Sequence, residues 1–188
     1  KIDPIFTGFR RGSPVTGHNA ISIKKEGYIM NVNECITTRR SIRKYKPDPV
    51  DHSLIESIVS MASYSPSWKN TQITPVYNSN IIQQSPMLIA VTFIKGRCGF
   101  ERDGSYSTKK EDRWQMFDTG AACQTFCLAA KEKGLGTVIM GIFDEDKITE
   151  LLEIPEEREL AALIAVGWPD IDPEAPKRKS VDDLLQFR

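Results

Sequence analysis

An apolar run, Leu160–Gly167, limits the folds that are open to this chain. Eight consecutive apolar residues are typical of a β-strand that is buried on both faces. Met87–Ile94, bounded by Pro86 and Gly96, is a second strand of this kind, and Thr137–Ile142 is a third candidate. Because helical patterns lie between these strands, the chain is predicted to form an α+β or α/β domain.

Three longer segments have helical character. Asp51–Tyr64 places its apolar residues on one face, which indicates an amphipathic helix. Arg113–Lys133 is predicted to be a long helix that ends at Gly134, and the small residues at its centre permit close packing inside a domain or a dimer. Asn33–Tyr45 is predicted to be a short basic helix that stops before Pro47.

Capping residues predict two shorter helices. Asp144 is a suitable N-cap for a helix that runs through Leu152. Ser180 followed by Asp183 resembles a capping box, which predicts a final short helix.

The charge balance excludes two broad classes of function. The chain has 188 residues, of which 25 are basic and 25 acidic, so its formal net charge at pH 7 is zero. General binding to nucleic acid or to a membrane surface needs a strong basic excess, which this sequence lacks. The apolar runs are far shorter than a bilayer-spanning helix and no export leader opens the sequence, so a cytoplasmic location is expected.

Cysteine and histidine usage limits the chemistry. The four cysteines include no CxxC pair, and two histidines are too few for a multi-His metal site or a well-supported Ser–His–Asp triad. Cys123 and Cys127 lie four residues apart in the long helical pattern and are predicted to be buried thiols. No metal site is expected, and an enzyme of this composition would depend on a bound cofactor.

The first candidate binding segment is Thr38–Lys44, which is rich in arginine. In a helix, Arg39 and Arg43 lie four residues apart on one face, and Ser41 can donate a hydroxyl hydrogen bond. Such a cluster suits a phosphate or a conjugated ring system rich in acceptors. A solvated basic face is the alternative.

Two further segments are candidates. Ser65–Gln72 combines Pro, Ser and Asn in a rigid turn that exposes backbone and side-chain amides; it could read the edge of a heterocycle, or it is a turn with an exposed tryptophan. Lys177–Lys179 directly precedes the helix that Ser180 begins, where a helix N-terminus favours an anion; a solvated basic tail is the alternative. The sequence has no P-loop and no GxGxxG motif.

Taken together, these segments resemble the FMN-dependent nitroreductase family. The resemblance rests on five motifs in order: Arg39-Arg40-Ser41-Ile42-Arg43; Ser65-Pro66-Ser67-Trp68-Lys69-Asn70-Thr71-Gln72; Gly134-Leu135-Gly136 leading to Met140-Gly141-Ile142-Phe143; Ala165-Val166-Gly167-Trp168-Pro169; and Lys177–Lys179. It covers nearly all of the chain from Met30 to Arg188. Each motif is weak alone, and their order makes the match specific.

The resemblance implies an α+β fold with a central mixed sheet flanked by helices and a long central helix that forms a dimer. It also implies a homodimer with two FMN molecules at the subunit interface. Carried over residue by residue, the residues that contact FMN are Arg39, Arg40, Ser41, Arg43, Pro66, Ser67, Trp68, Asn70, Met140, Gly141, Arg178 and Lys179.

These residues have different implied roles. The Arg39–Arg43 segment should hold the phosphate, the ribityl chain and the pyrimidine edge, and Arg178 with Lys179 should complete the phosphate site. The Pro66–Asn70 loop should reach the same flavin from the other subunit. Met140 and Gly141 match the stretch that faces the flavin N5 side.

The implied activity is that of a flavin oxidoreductase. NADH or NADPH would deliver hydride to N5, and a small oxidant such as a nitroaromatic or a quinone would then accept electrons. No catalytic acid, base or nucleophile is expected among the side chains. Two alternatives stay open: a flavin-fragmenting or dehalogenating enzyme of the same fold, and a protein that binds flavin without turnover.

Three segments depart from the family pattern or are ambiguous. Residues 1–29 are predicted to be an irregular arm or the remnant of a preceding module, with the FMN-binding domain at 30–188. Only Ile73–Pro86 separate Gln72 from the strand at Met87, too few for the family's strand and helix. Either the helix has been lost or the sequence lacks residues around 75–80, and we expect the second. Gly99–Arg113 is either a mobile cover for the flavin or a plain surface loop.

Overall fold

The computed structural model describes residues 30–72, 74–79 and 85–188, and within them four strands form one sheet. The strands are β1 (Val76–Ser79), β2 (Met87–Ile94), β3 (Gly136–Met140) and β4 (Arg158–Gly167). Their order is β1-β2-β4-β3, and each neighbouring pair is antiparallel. Ser41 adds a parallel bridge to Thr137 beside β3, so parallel and antiparallel pairing meet at this edge.

The two central strands are buried on both faces, as the apolar runs predict. Ile89 of β2 pairs with Ile164 of β4, and both contribute to a core that also contains residues of the two longest helices. The next pair, Leu88 and Ala165, faces a second core on the other side of the sheet. Successive strand residues point to opposite faces, so one strand supplies both cores.

The described part of the chain has five α-helices: α1 (Val32–Thr38), α2 (His52–Ala62), α3 (Arg113–Glu132), α4 (Glu145–Leu151) and α5 (Val181–Leu184). The predicted caps of α4 and α5 are confirmed: Asp144 accepts from the Lys147 N–H, and Ser180 forms a capping box with Asp183. At the end of α3, Gly134 has φ +83°, a conformation that glycine adopts without strain. The predicted α+β fold with a long central helix is confirmed.

The predicted helix over Asn33–Tyr45 is wrong beyond Thr38, where α1 ends. Arg39 has φ −61° and ψ 131°, which is extended backbone. The Ile42 N–H then donates to the Thr137 carbonyl at 3.0 Å, and Tyr45 forms a bridge with Pro169. Pairing with the sheet edge therefore replaces the helical hydrogen bonds that local propensity favours.

The interval after Gln72 contains strand β1, which the sequence analysis did not predict. β1 pairs antiparallel with β2, with Val76 opposite Val91. Residues 73 and 80–84 lie outside the described part, so the expected omission around residues 75–80 stays a prediction. Residues 1–29 also lie outside it, and the predicted arm is not described. None of the described helices is long and apolar enough to cross a membrane.

Candidate functional site

The Arg39–Arg43 segment forms the first part of the site, beside the N-terminal end of β3. Arg39 is extended where α1 ends, and Ser41 and Ile42 contact Thr137 of β3 through the backbone. The Ile42 side chain is buried against Gly136, where an added Cβ would lie 2.6 Å from Ile42 Cγ1. The arginines are therefore presented by backbone that pairs with the edge of β3, and not by the helix that was predicted from the sequence.

The two neighbouring arginines are used differently. Arg40 Nη1 donates to the carbonyls of Thr37 and Arg39, at 2.9 and 2.8 Å, and so satisfies acceptors at the end of α1. Within the described residues, Arg39 makes no side-chain hydrogen bond or ion pair. Of the two, Arg39 has the guanidinium that is available to an added anion.

A groove of about 510 Å³ opens beside this segment. Its charged lining residues are four basic and two acidic: Arg39, Arg40, Lys46, Lys131, Asp170 and Asp172. Since Asp170 already pairs with Lys44 at 2.6 Å, the groove favours an anionic group such as a phosphate. Ser41 does not line this groove, and Arg43 lines a separate cavity of about 500 Å³. Lys46 and Lys131 were not predicted from the sequence, since nothing in their local pattern points to a site.

The segment is fastened to the end of β4 by main-chain and side-chain contacts. The Lys46 N–H donates to the Trp168 carbonyl at 2.8 Å, and the Asp170 N–H donates to the Lys44 carbonyl at 3.1 Å. The hydrogen bond and the charge of Lys44 lower the pKa of the Asp170 carboxyl. The backbone between these contacts is consequently held in place on both sides of Tyr45.

The Pro66–Gln72 loop forms the second part of the site and follows α2. Ser67 precedes a short 3₁₀ turn, Trp68–Asn70, and its hydroxyl accepts from the Gln72 N–H at 3.0 Å. The Trp68 ring packs against Trp114 at 5.3 Å between centroids, and its buried indole N–H has no partner within the described residues. Thr71 Oγ1 is likewise buried without a partner there. The alternative of a turn with an exposed tryptophan is therefore not what the structure has, because Trp68 is partly buried.

A buried carboxylate holds this loop. Asp118 of α3 is 5% exposed, and its Oδ2 accepts from the Trp68 N–H at 2.7 Å and from Cys98 Sγ at 2.9 Å. Asp118 was not predicted as a site residue from the sequence. An acidic residue on the buried face of a predicted helix is unusual, and this pattern could have pointed to it.

The two parts of the site lie toward opposite ends of α3. Asp118 contacts the Pro66–Gln72 loop, whereas Lys131 lines the groove beside Arg39. About 20 Å of helix axis separates these two α3 residues. The loop and the groove are therefore attached to different ends of α3.

Met140 and Gly141 lie at the opposite end of β3 from Ser41. Met140 ends the strand, and Gly141 is exposed, with no heavy atom within 4 Å of an added Cβ. Thr137, which pairs with Ser41, is about 13 Å from Gly141 along the strand. The Arg39–Arg43 segment and the Gly141 backbone thus lie along one sheet edge.

Arg178 and Lys179 are exposed and line none of the cavities described above. In the described part of the chain, the N-terminus of the following helix is closed by its own capping box. Asp183 Oδ2 already accepts from the Ser180 N–H at 3.0 Å, and α5 has only four residues. A role for Arg178 and Lys179 in binding stays a prediction.

All four thiols are buried, as the sequence analysis expects for Cys123 and Cys127. Burial raises the pKa of Cys98 and Cys123 from 9.0 to about 12, and it also raises the pKa of Cys35 and Cys127. Since the thiolate is the nucleophilic form, these cysteines are unsuited to nucleophilic catalysis at neutral pH.

We expect the free energy of unfolding to fall as pH rises from about 9 to about 12. Above pH 9 the unfolded chain releases protons that the folded protein keeps on Cys98 and Cys123, so each rise in pH favours unfolding. Urea unfolding at a series of pH values measures this slope. The Cys123→Ala variant should show a shallower slope than the unsubstituted protein, and an equal slope would contradict the prediction.

Comparison with known proteins adds a family match to this geometry. The model of the nitroreductase family matches residues 36–77 and 73–168, and the match divides close to the short interval after Gln72. One relative is a protein of Methanothermobacter thermautotrophicus, whose name, NADH dehydrogenase/NAD(P)H nitroreductase, was assigned by inference. It is 28% identical over 170 residues, which cover 83% of this chain and 87% of that protein. A 5,6-dimethylbenzimidazole synthase of Rhodospirillum rubrum is 21% identical over 172 residues, covering 70% and 78%. The structure of the NADPH:FMN oxidoreductase from Vibrio harveyi, solved with NAD⁺, has a TM-score of 0.70 at 19% identity, covering 83% of this chain and 76% of that one.

Proposed function

The chain belongs to the nitroreductase family, and we propose that it uses FMN to pass electrons from NADH or NADPH to a small oxidant such as a nitroaromatic or a quinone. One observation carries this proposal beyond the family match. The extended Arg39–Arg43 segment and the open backbone at Gly141 lie along one sheet edge, with a basic groove at the first of them. An elongated ligand with a phosphate at one end and a planar ring at the other fits this arrangement.

The residues present fit FMN. In the proposal, Arg39 binds the phosphate, since its guanidinium is not used within the described chain and charge-assisted bonds to phosphate are strong. Ser41 and Arg43, which follow Arg39 in the same segment, hold the ribityl chain and the pyrimidine edge. FMN supplies the hydride and electron chemistry when bound, while Met140 and Gly141 line its N5 side and no side chain acts as a nucleophile.

A homodimer is part of the proposal. Asp118, which holds the Pro66–Gln72 loop, and Lys131, which lines the Arg39 groove, lie about 20 Å apart along α3, so in the proposal the loop that contacts each flavin comes from a second subunit. Exposed apolar side chains mark a candidate interface: Phe117 of α3 is 66% exposed and Ile142 is 100% exposed. Large apolar side chains that are exposed in one subunit can be buried against another.

The Phe117→Asp variant is expected to be monomeric and to lose most of its bound flavin. A carboxylate at this position would be buried without a partner in the proposed interface, which opposes association. Light scattering after size exclusion measures the mass, with Ser57→Asp as the control because it adds the same charge to an exposed position on α2. A dimeric Phe117→Asp protein, or a monomeric unsubstituted protein, would refute the interface.

Anaerobic stopped-flow spectroscopy tests the activity. Mixing the FMN-loaded protein with NADH or NADPH should bleach the visible band of the flavin, and a nitroaromatic or quinone should restore it. If neither nucleotide bleaches the flavin, the protein binds flavin without turnover. If the purified protein has no flavin band and binds no added FMN, the proposed cofactor is wrong.

A second candidate is an enzyme of the same fold that consumes its flavin. The likeness to the Rhodospirillum rubrum synthase favours it. Mass spectrometry of the cofactor after many turnovers under oxygen separates the two, since an electron carrier leaves FMN intact.

The domain boundaries and the location are also proposed. Residues 30–188 form the FMN-binding domain, with residues 1–29 as an arm or the remnant of another module. The proposed location is the cytoplasm.

A further inference from the structure

The backbone of the Pro66–Gln72 loop is strained. Lys69, Asn70 and Gln72 have φ values of 45°, 56° and 46°, in the left-handed region that non-glycine residues rarely adopt. Three such residues within four positions persist only where surrounding contacts hold them, and strain of this kind concentrates at binding sites. The structure must therefore contain a group that fixes this loop.

Asp118 is the best-placed group. One of its carboxylate oxygens accepts two hydrogen bonds, from the Trp68 N–H at 2.7 Å and from Cys98 Sγ at 2.9 Å. Trp68 lies directly before the strained residues, and Cys98 belongs to the turn that follows β2. A single buried carboxylate therefore connects the loop, helix α3 and the turn after β2.

Other contacts at this point are weaker or more exposed. Lys69 Nζ lies 3.2 Å from Glu101 Oε2, but both side chains are about half exposed, and exposed ion pairs contribute little. The Ser67 hydroxyl bonds Gln72 within the loop itself, so it does not attach the loop to the rest of the fold. The Trp68–Trp114 contact restrains the ring and not the direction of the backbone.

We propose that Asp118 is a positioning residue, which holds the Pro66–Gln72 loop in the strained conformation that covers the flavin of the partner subunit. This inference rests on the proposed function, because it takes the loop to be a flavin contact. Asp118 is buried and acts through the Trp68 backbone, so it has no direct part in the chemistry.

The test compares Asp118→Asn with Asp112→Asn. Both substitutions remove a carboxylate charge from α3 or its cap, but Asp112 is exposed and makes no side-chain capping hydrogen bond. In the flavin-free protein, hydrogen exchange of the 66–72 amides should be about tenfold faster in Asp118→Asn, because a charge-assisted bond becomes a neutral one. The rest of α3 should exchange as in the control. FMN titration should show a dissociation constant about tenfold higher for Asp118→Asn and unchanged for Asp112→Asn.

A double-mutant cycle with Asn70→Ala separates positioning from general loss of stability. If Asp118 acts through the loop, Asp118→Asn should raise the FMN dissociation constant much less in the Asn70→Ala background. Additive effects would overturn the proposal, as would faster exchange of the loop with unchanged FMN affinity. Because the asparagine variant could fail to fold, the unsubstituted protein provides a second measurement: the Trp68 amide should be the slowest to exchange in the loop, and fast exchange there overturns the proposal.

Failure of the proposed function gives a different result. If the unsubstituted protein binds no FMN, both the proposed cofactor and the proposed role of Asp118 are refuted. If the unsubstituted protein and Asp118→Asn have the same dissociation constant for FMN, only the role of Asp118 is refuted.

Discussion

Arg39→Ala is expected to raise the dissociation constant for FMN about 10- to 150-fold. The Arg39 guanidinium makes no hydrogen bond or ion pair in the described part of the chain, and it lines the basic groove beside β3. Removing a charge-assisted bond to a phosphate costs about 1.5–3 kcal/mol, which corresponds to this range. Fluorescence titration of the flavin-free protein with FMN measures the change.

Arg40→Ala is the matched control for this prediction, since it removes the same side chain from the adjacent position. Because Arg40 donates to the carbonyls of Thr37 and Arg39, its loss should weaken the end of α1 by about 1 kcal/mol and change FMN affinity little. Equal losses of affinity in the two variants would show that both arginines bind the phosphate. Unchanged affinity in both would mean that this segment is only a solvated basic surface.

Gly136→Ala is expected to destabilise the protein by about 1–3 kcal/mol and also to weaken FMN binding. An added Cβ would lie 2.6, 2.8 and 2.9 Å from Cγ1, Cβ and Cγ2 of Ile42. Overpacking of this kind forces buried neighbours to move. Because the Ile42 N–H pairs with Thr137, the movement displaces the Arg39–Arg43 segment from β3.

Urea unfolding of the flavin-free protein and FMN titration together measure the two effects. Gly120→Ala is a suitable control for the unfolding measurement, because among the described residues no side chain or distant backbone atom lies within 4 Å of its added Cβ and alanine favours a helix. Ile42→Ala should be less destabilising in the Gly136→Ala background than alone, since it removes the two Cγ atoms of the clash. A Gly136→Ala protein with unchanged stability and affinity would show that the segment can move without consequence.

The chain's own sequence predicted much of the secondary structure. β2 has the predicted bounds, Met87–Ile94, and the predicted long helix differs from α3 by one residue at its end. The caps Asp144 and Ser180 also lie where they were expected. Hydrophobic periodicity, N-cap residues and glycines at helix C-termini predict these elements correctly because each depends on the preferences of a few consecutive residues.

The candidate site was predicted less completely. Arg39 does line a basic groove, but Lys46 and Lys131 share its lining. The backbone at Gly141 is open, as a ligand contact requires. Asp118 could not be placed against Trp68 beforehand, because 50 residues separate them in the sequence.

What the sequence determined by itself is therefore local: two strands buried on both faces, an amphipathic helix, a long helix and the order of the binding motifs. The tertiary structure decided how the arginine motif is presented. Thr38 and the residues after it could continue a helix, but the hydrogen bond from Ile42 to Thr137 at the edge of the sheet makes the segment extended. That pairing fixes the segment beside β3, where Arg39 lines the basic groove. A long-range backbone hydrogen bond, which no local pattern encodes, therefore sets the geometry of the proposed phosphate site.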